Sequence, residues 1–432
     1  MSKYPQPLTT LEHSAKQLFD PVKNHLCVAY HFIPGSGKRT LIKFLLREEK
    51  ILKTLFGNAY SKTLFVWIDP DEILEDNNRA YLQLLLDQLL LTCTQKKITV
   101  PSLPSTNPLI LLKHALQNLI SDGWHTVFLL NDFEYTLSLS PSIFRNLEGI
   151  LSLNKPQITF VFLSSINLLD EEIIDRFHNL KYAINRVVRY HPLLSKEETS
   201  YVVKQFADVL KLKTAYSLVD FLFEQCGGHI QLLKYSMHIL ADSDKENLQS
   251  VEKARELLLT HPQLKTICHD IWSFLQKNEQ NAIINVLKTS SFPLSPPSTS
   301  DFLLQTGLVN KISNTQTSLF ANLFKEHIKE KLPQEKITLD TATNQLYLGD
   351  TNISNRFTLQ EYRLLVYLVR HINTVISRDE AAQAMWGKDS FDKYSDWTID
   401  KTVSTIRKKL IEAGLPQNKF TTLKKRGFCL SQ

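Results

Sequence analysis

The stretch LCVAYHFIPGSGKRTLIKFLL (26–46) decides the fold. Its first seven residues are almost continuously apolar, which suits a strand buried on both faces. A glycine-bearing turn follows, and from Thr40 the apolar residues recur at helical spacing. Strand, tight turn and helix together can aim backbone N–H groups and a helix N-terminus at phosphate. Gly35 and Gly37 leave room for close approach, and Lys38 is placed to neutralise outer phosphates. Gly35, Ser36, Gly37, Lys38, Arg39 and Thr40 are therefore the candidate nucleotide-binding residues. The full pattern GxxxxGK[ST] is not met. Phe32 stands at its first glycine, and Arg39 stands where a hydroxyl would hold Mg²⁺, with Thr40 one residue late.

Working outward, TLFVWID (63–69), TVFLLNDFE (126–134) and ITFVFLSS (158–165) read as further buried strands. Helical segments at 11–19, 40–50, 79–94 and 109–121 lie before and between them. Buried strands alternating with helices predict a parallel sheet covered on both faces. The second half of a phosphate site is an acid at the end of a buried strand. If Asn131 holds the metal-aspartate position, Asp132 takes the next place, where a catalytic glutamate often sits. If Asp132 is itself the metal residue, Glu134 is the nearby acid. Asp132 and Glu134 are thus the candidate catalytic residues. ATP is the expected nucleotide, and Mg²⁺ is left open. A guanidinium near the β- and γ-phosphates can supply charge but does not polarise an in-line water as Mg²⁺ does. Weak or absent hydrolysis is the expectation; any enzyme activity would be that of an ATPase.

From Tyr190 the pattern becomes helical. LSKEETSYVVKQFADVL (194–210) opens with Ser195 and Glu198 spaced as a capping box. CGGH (226–229) breaks the helical period, SFPLSPPSTSD (291–301) reads as a loop, and a helix, a turn at Gly307 and a further helix follow. From about Gln334, ITLD (337–340), NQLYL (344–348) and TNIS (351–354) alternate like short antiparallel strands. Helical segments at 358–371, 377–385 and 397–413 come next, and FTTLKKRGFCL (420–430) reads as a hairpin.

Charge is concentrated at this end. The whole chain carries +6, whereas Lys401, Arg407, Lys408, Lys409, Lys419, Lys424, Lys425 and Arg426 stand against Glu412 alone in one short stretch. Such clustering is an electrostatic footprint for phosphate backbones. In WTIDKTVSTIRKKL (397–410), Ile399, Val403, Ile406 and Leu410 form one apolar stripe. The other face presents Lys401, Thr405 and Lys408, flanked by Thr398, Ser404 and Arg407, which suits a major-groove reader. Thr398, Lys401, Thr405, Arg407, Lys408, Lys424, Lys425 and Arg426 are the candidate DNA-binding residues.

The order strands, helix, helix, long helix, hairpin over roughly 334–430 resembles the OmpR/PhoB-type winged-helix DNA-binding domain. The matching motifs are FTLQEYRLLVYLV (357–369), VISRDEAAQAMWG (375–387), TIDKTVSTIRKKL (398–410) and TTLKKRGFCL (421–430). The resemblance implies a recognition helix at 397–413, a wing at 421–430, and a 387–396 loop that in this family can contact RNA polymerase. Lys425 stands where the wing usually carries glycine, and Ser404 and Thr405 where many members have arginines.

The preceding part resembles AAA+-like and STAND-type P-loop ATPases of regulatory proteins. CGGHIQLLKY (226–235) is similar to a "GGHP" lid motif with Ile230 for proline, and SSIN (164–167) lies where a sensor polar residue would follow its strand. DRFHNLKYAINRVVRYHPLLSKEE (175–198) resembles the passage from core to lid, and 306–328 a small winged helix. The expected architecture is multidomain α/β plus α+β: a P-loop parallel-sheet core at 1–190, a helical lid at 191–270, a small winged-helix-like region at 271–332, and the DNA-binding winged helix at 334–432. Arg186 and Arg189 are candidate arginine fingers toward a neighbouring subunit, against the plainer reading of surface charges.

Other classes are disfavoured. The longest apolar runs are too short to span a bilayer, and no signal peptide is read at the start. Five dispersed cysteines without CxxC spacing suit reduced thiols in a cytoplasm. No zinc-binding His/Cys spacing and no nucleophile signature occur, so no metal ligand set is assigned. The expected function is a cytoplasmic DNA-binding transcriptional regulator, with double-stranded DNA as partner and a homo-oligomer as candidate assembly. Its P-loop domain is expected to sense nucleotide or a partner. The alternatives are an active ATPase targeted to DNA and a non-catalytic scaffold.

Overall fold

In a computed structural model, residues 7–244, 249–293, 295–313, 316–332, 336–349, 351–387, 395–416, 419–423 and 426–431 are described. The chain divides into two compact units, Met1–Ile328 and Lys329–Gln432.

The first unit is built on five parallel strands: β1 (Val28–His31), β2 (Thr63–Ile68), β3 (His125–Leu130), β4 (Ile158–Ser164) and β5 (Val188–Tyr190). Their order is β2-β3-β4-β1-β5. The apolar runs are continuous because both faces are buried. Val28, Tyr30, Val127, Leu129, Val161 and Leu163 pack on one side with α1 (Leu8–Lys23) and α2 (Lys38–Arg47). Ala29, Phe128, Leu130, Phe160 and Phe162 pack on the other, against helices Asn78–Gln95, Pro108–Ser121 and Ser142–Leu151. Pleat alternation sorts one apolar run into two cores. Register aligns the strand ends: Ile68 pairs with Leu130, and His31 with Ser164. The turns after β1, β2, β3 and β4 therefore meet at one edge, the carboxyl edge where open α/β sheets form crevices.

Several sequence expectations change here. The segment NDFE is not strand. β3 stops at Leu130, and Asp132 adopts a left-handed conformation with φ 45°. Edge strand β5 was not anticipated, because exposed Arg189 between half-buried Val188 and Tyr190 makes no apolar run. The helix expected over 40–50 starts at Lys38 and ends at Arg47, where Glu48 leaves helical geometry. Part of the 291–301 loop is helix, because Pro297 opens Pro297–Gln305 at a position where its missing N–H costs nothing. The further helix after Gly307 is preceded by an antiparallel pair, β6 (Val309–Lys311) with β7 (Thr317–Leu319), and begins only at Asn322. The Ser195–Glu198 capping box is formed in both directions.

The second unit begins with β8 (Ile337–Asp340), β9 (Gln345–Leu348) and the two-residue β10 (Thr351–Asn352), ordered β10-β9-β8. Helices Leu359–Arg370, Arg378–Trp386 and Asp396–Glu412 follow, and β11 (Phe420–Leu423) pairs with β12 (Gly427–Leu430). Ile376 bridges Phe428 and extends this hairpin. The three helices and the strands share one core that includes Ile337, Leu346, Leu364, Leu365, Val403, Ile406 and Phe428.

Candidate functional site

The loop after β1 has the geometry its glycines suggest. Gly35 and Gly37 have φ of 77° and 93°, a region that L side chains rarely adopt. Gly37 is the residue before α2, so the helix N-terminus faces the turn. The Ser36 N–H closes the turn on the Ile33 carbonyl at 3.0 Å. Ser36 Oγ is buried without a partner among the described residues. Lys38 is buried, whereas Arg39 and Thr40 are exposed. Two left-handed glycines, an unpartnered buried hydroxyl and an adjacent lysine fit a bound polyphosphate.

The cations of this loop already hold carboxylates. Lys38 Nζ donates to Asp132 Oδ1 at 2.5 Å and to Ser165 Oγ at 3.1 Å. Arg39 donates to Asp71 at 2.6 Å and to Asp69 at 2.8 Å, and stands 3.7 Å from Asp132. The bond to Asp71, helped by the charges of Asp69 and Asp132 and opposed by burial, sets the Arg39 guanidinium further above its ordinary pKa. Asn131 is buried and donates its amide to Asp132 at 2.6 Å and Asp69 at 3.3 Å. Asn131 thus bridges two acids rather than adding a third anion. Glu134 Oε1 accepts the Ser165 N–H at 2.9 Å, while its Oε2 is buried without a partner among the described residues. These residues do not fit Mg²⁺ as they stand, because Asp69 and Asp132 already neutralise Arg39 and Lys38. Asp69, Asp71 and Ser165 were not singled out from sequence. The signal for Asp69 was present: an acid closing the buried strand TLFVWID, just as Asn131 and Asp132 close TVFLL.

A helical segment remote in sequence closes over this loop. The Gln231 N–H donates to the Gly35 carbonyl at 3.2 Å. His229 Nδ1 accepts from Leu232 N–H at 3.2 Å, so the proton belongs on Nε2, which meets the Pro34 carbonyl at 2.6 Å. Burial pulls the His229 pKa down to about 4, consistent with this neutral tautomer. A Cβ at Gly35 would lie 2.1 Å from Gln231 Oε1, and one at Gly37 would lie 3.1 Å from Ile230 Cδ1. Gly227 and Gly228 are equally confined, since a Cβ there would meet the Phe320 carbonyl oxygen at 2.1 Å and that of Leu194 at 2.0 Å. The CGGH break is therefore a junction at which the phosphate loop, the start of the 196–210 helix and the segment after β7 meet. In the SSIN segment it is Ser165 that reaches Lys38, whereas Asn167 donates to the Ser298 carbonyl. Arg189 lies exposed on edge strand β5, and Arg186, three residues before it, is exposed as well.

In the second unit, the helix Asp396–Glu412 buries Ile399, Val403, Ile406 and Leu410, as the spacing predicts. Its cations divide into two groups. Lys409 donates to buried Glu361 at 2.6 Å. Arg407 donates to the Phe420 carbonyl at 2.8 Å and Thr422 Oγ1 at 2.7 Å, fastening the helix to the hairpin. Lys401, Ser404 and Lys408 are exposed, and Thr398 and Thr405 are intermediate. Arg426 is exposed at the hairpin turn, while Lys424, Lys425 and residues 388–394 of the 387–396 loop lie outside the described residues. A Cβ at Gly427 would lie 2.0 Å from the Ile376 carbonyl oxygen, so this glycine lets the hairpin pack. Among the described residues, no helix is long and apolar enough to cross a membrane, and no group of three His, Cys, Asp or Glu side chains is arranged for a metal ion.

Several known proteins are similar to parts of this chain. Residues 353–430 match the family "Transcriptional regulatory protein, C terminal". The chain is 24% identical over 199 residues to "Uncharacterized transcriptional regulatory protein YvcP" of Bacillus subtilis strain 168, covering 44% of this chain and 83% of that protein. Among solved structures it is similar to the RstA DNA-binding domain of Klebsiella pneumoniae in complex with the RstA box. There the identity is 23%, the coverage 22% of this chain and 90% of that one, and the TM-score 0.19. It is also similar to the ORC2 protein of Aeropyrum pernix in ADPNP–ADP complexes, with 16% identity, coverage of 77% and 97%, and a TM-score of 0.39.

Proposed function

We propose that this chain, which ends in a transcriptional-regulator winged-helix domain, binds double-stranded DNA through that domain and regulates transcription. Its phosphate-loop unit is a sensor. The observation that carries the sensor reading is the pairing of Lys38 with Asp132 and of Arg39 with Asp69 and Asp71. A polyphosphate entering the loop competes with Asp132 for Lys38. Its arrival redistributes charge directly beneath the contacts that Gln231 and His229 make with Gly35 and Pro34. Nucleotide occupancy thereby reaches the helical segment, a population shift set by differential affinity for the two arrangements. Gly35, Ser36, Gly37 and Lys38 line the phosphate position, Arg39 and Thr40 border it, and ATP is the proposed ligand with slow or no hydrolysis. Lys401, Thr398, Thr405, Lys408 and Arg426, with Lys424 and Lys425, are the proposed DNA contacts. Arg407 serves first to hold the hairpin. We place the protein in the cytoplasm, with RNA polymerase as a partner through the 387–396 loop and a homo-oligomer as its assembly on DNA. The proposed domain limits are 1–190, 191–270, 271–332 and 334–432.

One observation favours an active ATPase instead: Glu134 has one oxygen fixed by Ser165 and a second, buried oxygen without a described partner. That is how an oriented general base is held. Calorimetric titration of ATP into the full chain, with Mg²⁺ and with EDTA, separates the readings. Equal binding in both without phosphate release supports the sensor. Binding only with Mg²⁺, followed by turnover that Glu134→Gln removes, supports the ATPase. No binding in either leaves a scaffold.

A further inference from the structure

The long helix of the second unit exposes a stripe that differs from the one its sequence suggests. Trp397, Lys401, Ser404 and Lys408 follow each other at spacings of four, three and four residues, so they share one face. That face lies opposite Ile399, Val403, Ile406 and Leu410, which are buried. Trp397 is 69% exposed, the largest apolar group on this surface of the helix. Lys401 Nζ sits 4.8 Å from its ring centroid, so a cation steadies one face of the indole. Acids nearby do not cover it: Asp400 is held by Arg378 at 3.0 and 3.1 Å, and Asp396 is the exposed acid of the first turn.

We infer that Trp397 is a specificity-determining residue that reads a thymine methyl group in the major groove. The inference rests on the DNA-binding reading above. Residues in the first turns of a groove-docked helix are those that reach base edges. An indole offers one N–H donor, no acceptor and a broad apolar surface. It cannot read the acceptor pair of guanine bidentately, and the apolar feature of the major groove is the C5-methyl of thymine. Lys401 and Lys408 follow the indole on the same face, toward the C-terminal end of the helix, and supply phosphate contacts there.

The test uses the full chain and a random duplex pool. The wild type should enrich a motif with a fixed thymine, and replacing that thymine by uracil, which lacks only the methyl, should weaken binding roughly fourfold. Trp397→Ala should lose both the preference and the uracil sensitivity at that position while other positions keep theirs; Trp397→Phe should retain both in part. Trp397 is exposed, so these variants test recognition rather than folding. An unchanged motif and an unchanged uracil effect in Trp397→Ala would overturn the inference and leave Trp397 as a protein-docking residue. Enrichment of no motif by the wild type, with binding that does not weaken as salt rises, would overturn the DNA-binding reading itself, and this inference with it.

Discussion

Asp132 is the residue on which the two nucleotide readings divide. It occupies Lys38, the cation that a bound polyphosphate needs. In Asp132→Ala the lysine is released, and ATP affinity measured in EDTA should rise roughly two- to fivefold, the worth of one partly exposed ion pair. If affinity instead falls, and falls only in Mg²⁺, Asp132 is a metal residue. Glu279 gives a separate prediction. Burial, reinforced by Asp170, raises its pKa to about 7 from 4.5, against bonds from Gln276 and Asn167 that favour the carboxylate. A folded-state pKa above the unfolded one means that the group's stabilisation is complete below about pH 4.5 and is lost as pH rises through about 7. Urea unfolding of the wild type should therefore weaken across that window by on the order of 3 kcal/mol more than that of Glu279→Gln. Neither effect is visible in the sequence string, because both depend on what faces the carboxyl.

At the scale of the element, the helix Asp396–Glu412 shows neighbouring lysines with different tasks. Lys409 is part-buried against Glu361 and lies over the Phe357 ring at 5.8 Å. Lys408, one residue earlier, is exposed. Lys409→Ala should destabilise the second unit by about 1–3 kcal/mol by leaving Glu361 buried without its partner, read as a lower melting temperature for that unit. Lys408→Ala should leave melting alone and reduce the slope of log affinity against log salt by roughly 1. Periodicity placed the apolar stripe of this helix correctly, since burial follows the 3.6-residue repeat. It did not separate Lys409 from Lys408, or show that Arg407 serves the hairpin, because those pairings reach across 48 residues to Glu361 and 13 to Phe420.

For the whole molecule, the division at Ile328/Lys329 predicts two calorimetric transitions. ATP should raise the transition of the larger unit by mass action, and operator DNA that of the smaller. If nucleotide sensing controls DNA binding, each ligand must also shift the other's affinity by the same factor, because linkage is reciprocal. ATP affinities measured with and without operator DNA decide this, and identical values would remove the coupling while leaving both sites intact.

The sequence by itself determined the parallel sheet, the loop, the lysine that follows it and the winged-helix order. Those features are written in local terms: apolar runs, glycines before a helix, a capping box at Ser195, and a stripe from Ile399 to Leu410. Such signals need only neighbours within a few turns of chain. Tertiary structure alone decided that Asp69 and Asp71 hold Arg39, that Ser165 joins Lys38, and that Gln231 and His229 sit on Gly35 and Pro34. These meetings depend on strand order and register, which bring the ends of β1, β2, β3 and β4 to one edge from positions more than a hundred residues apart. Charge neutralisation is a property of that shared edge, and no window of sequence contains it.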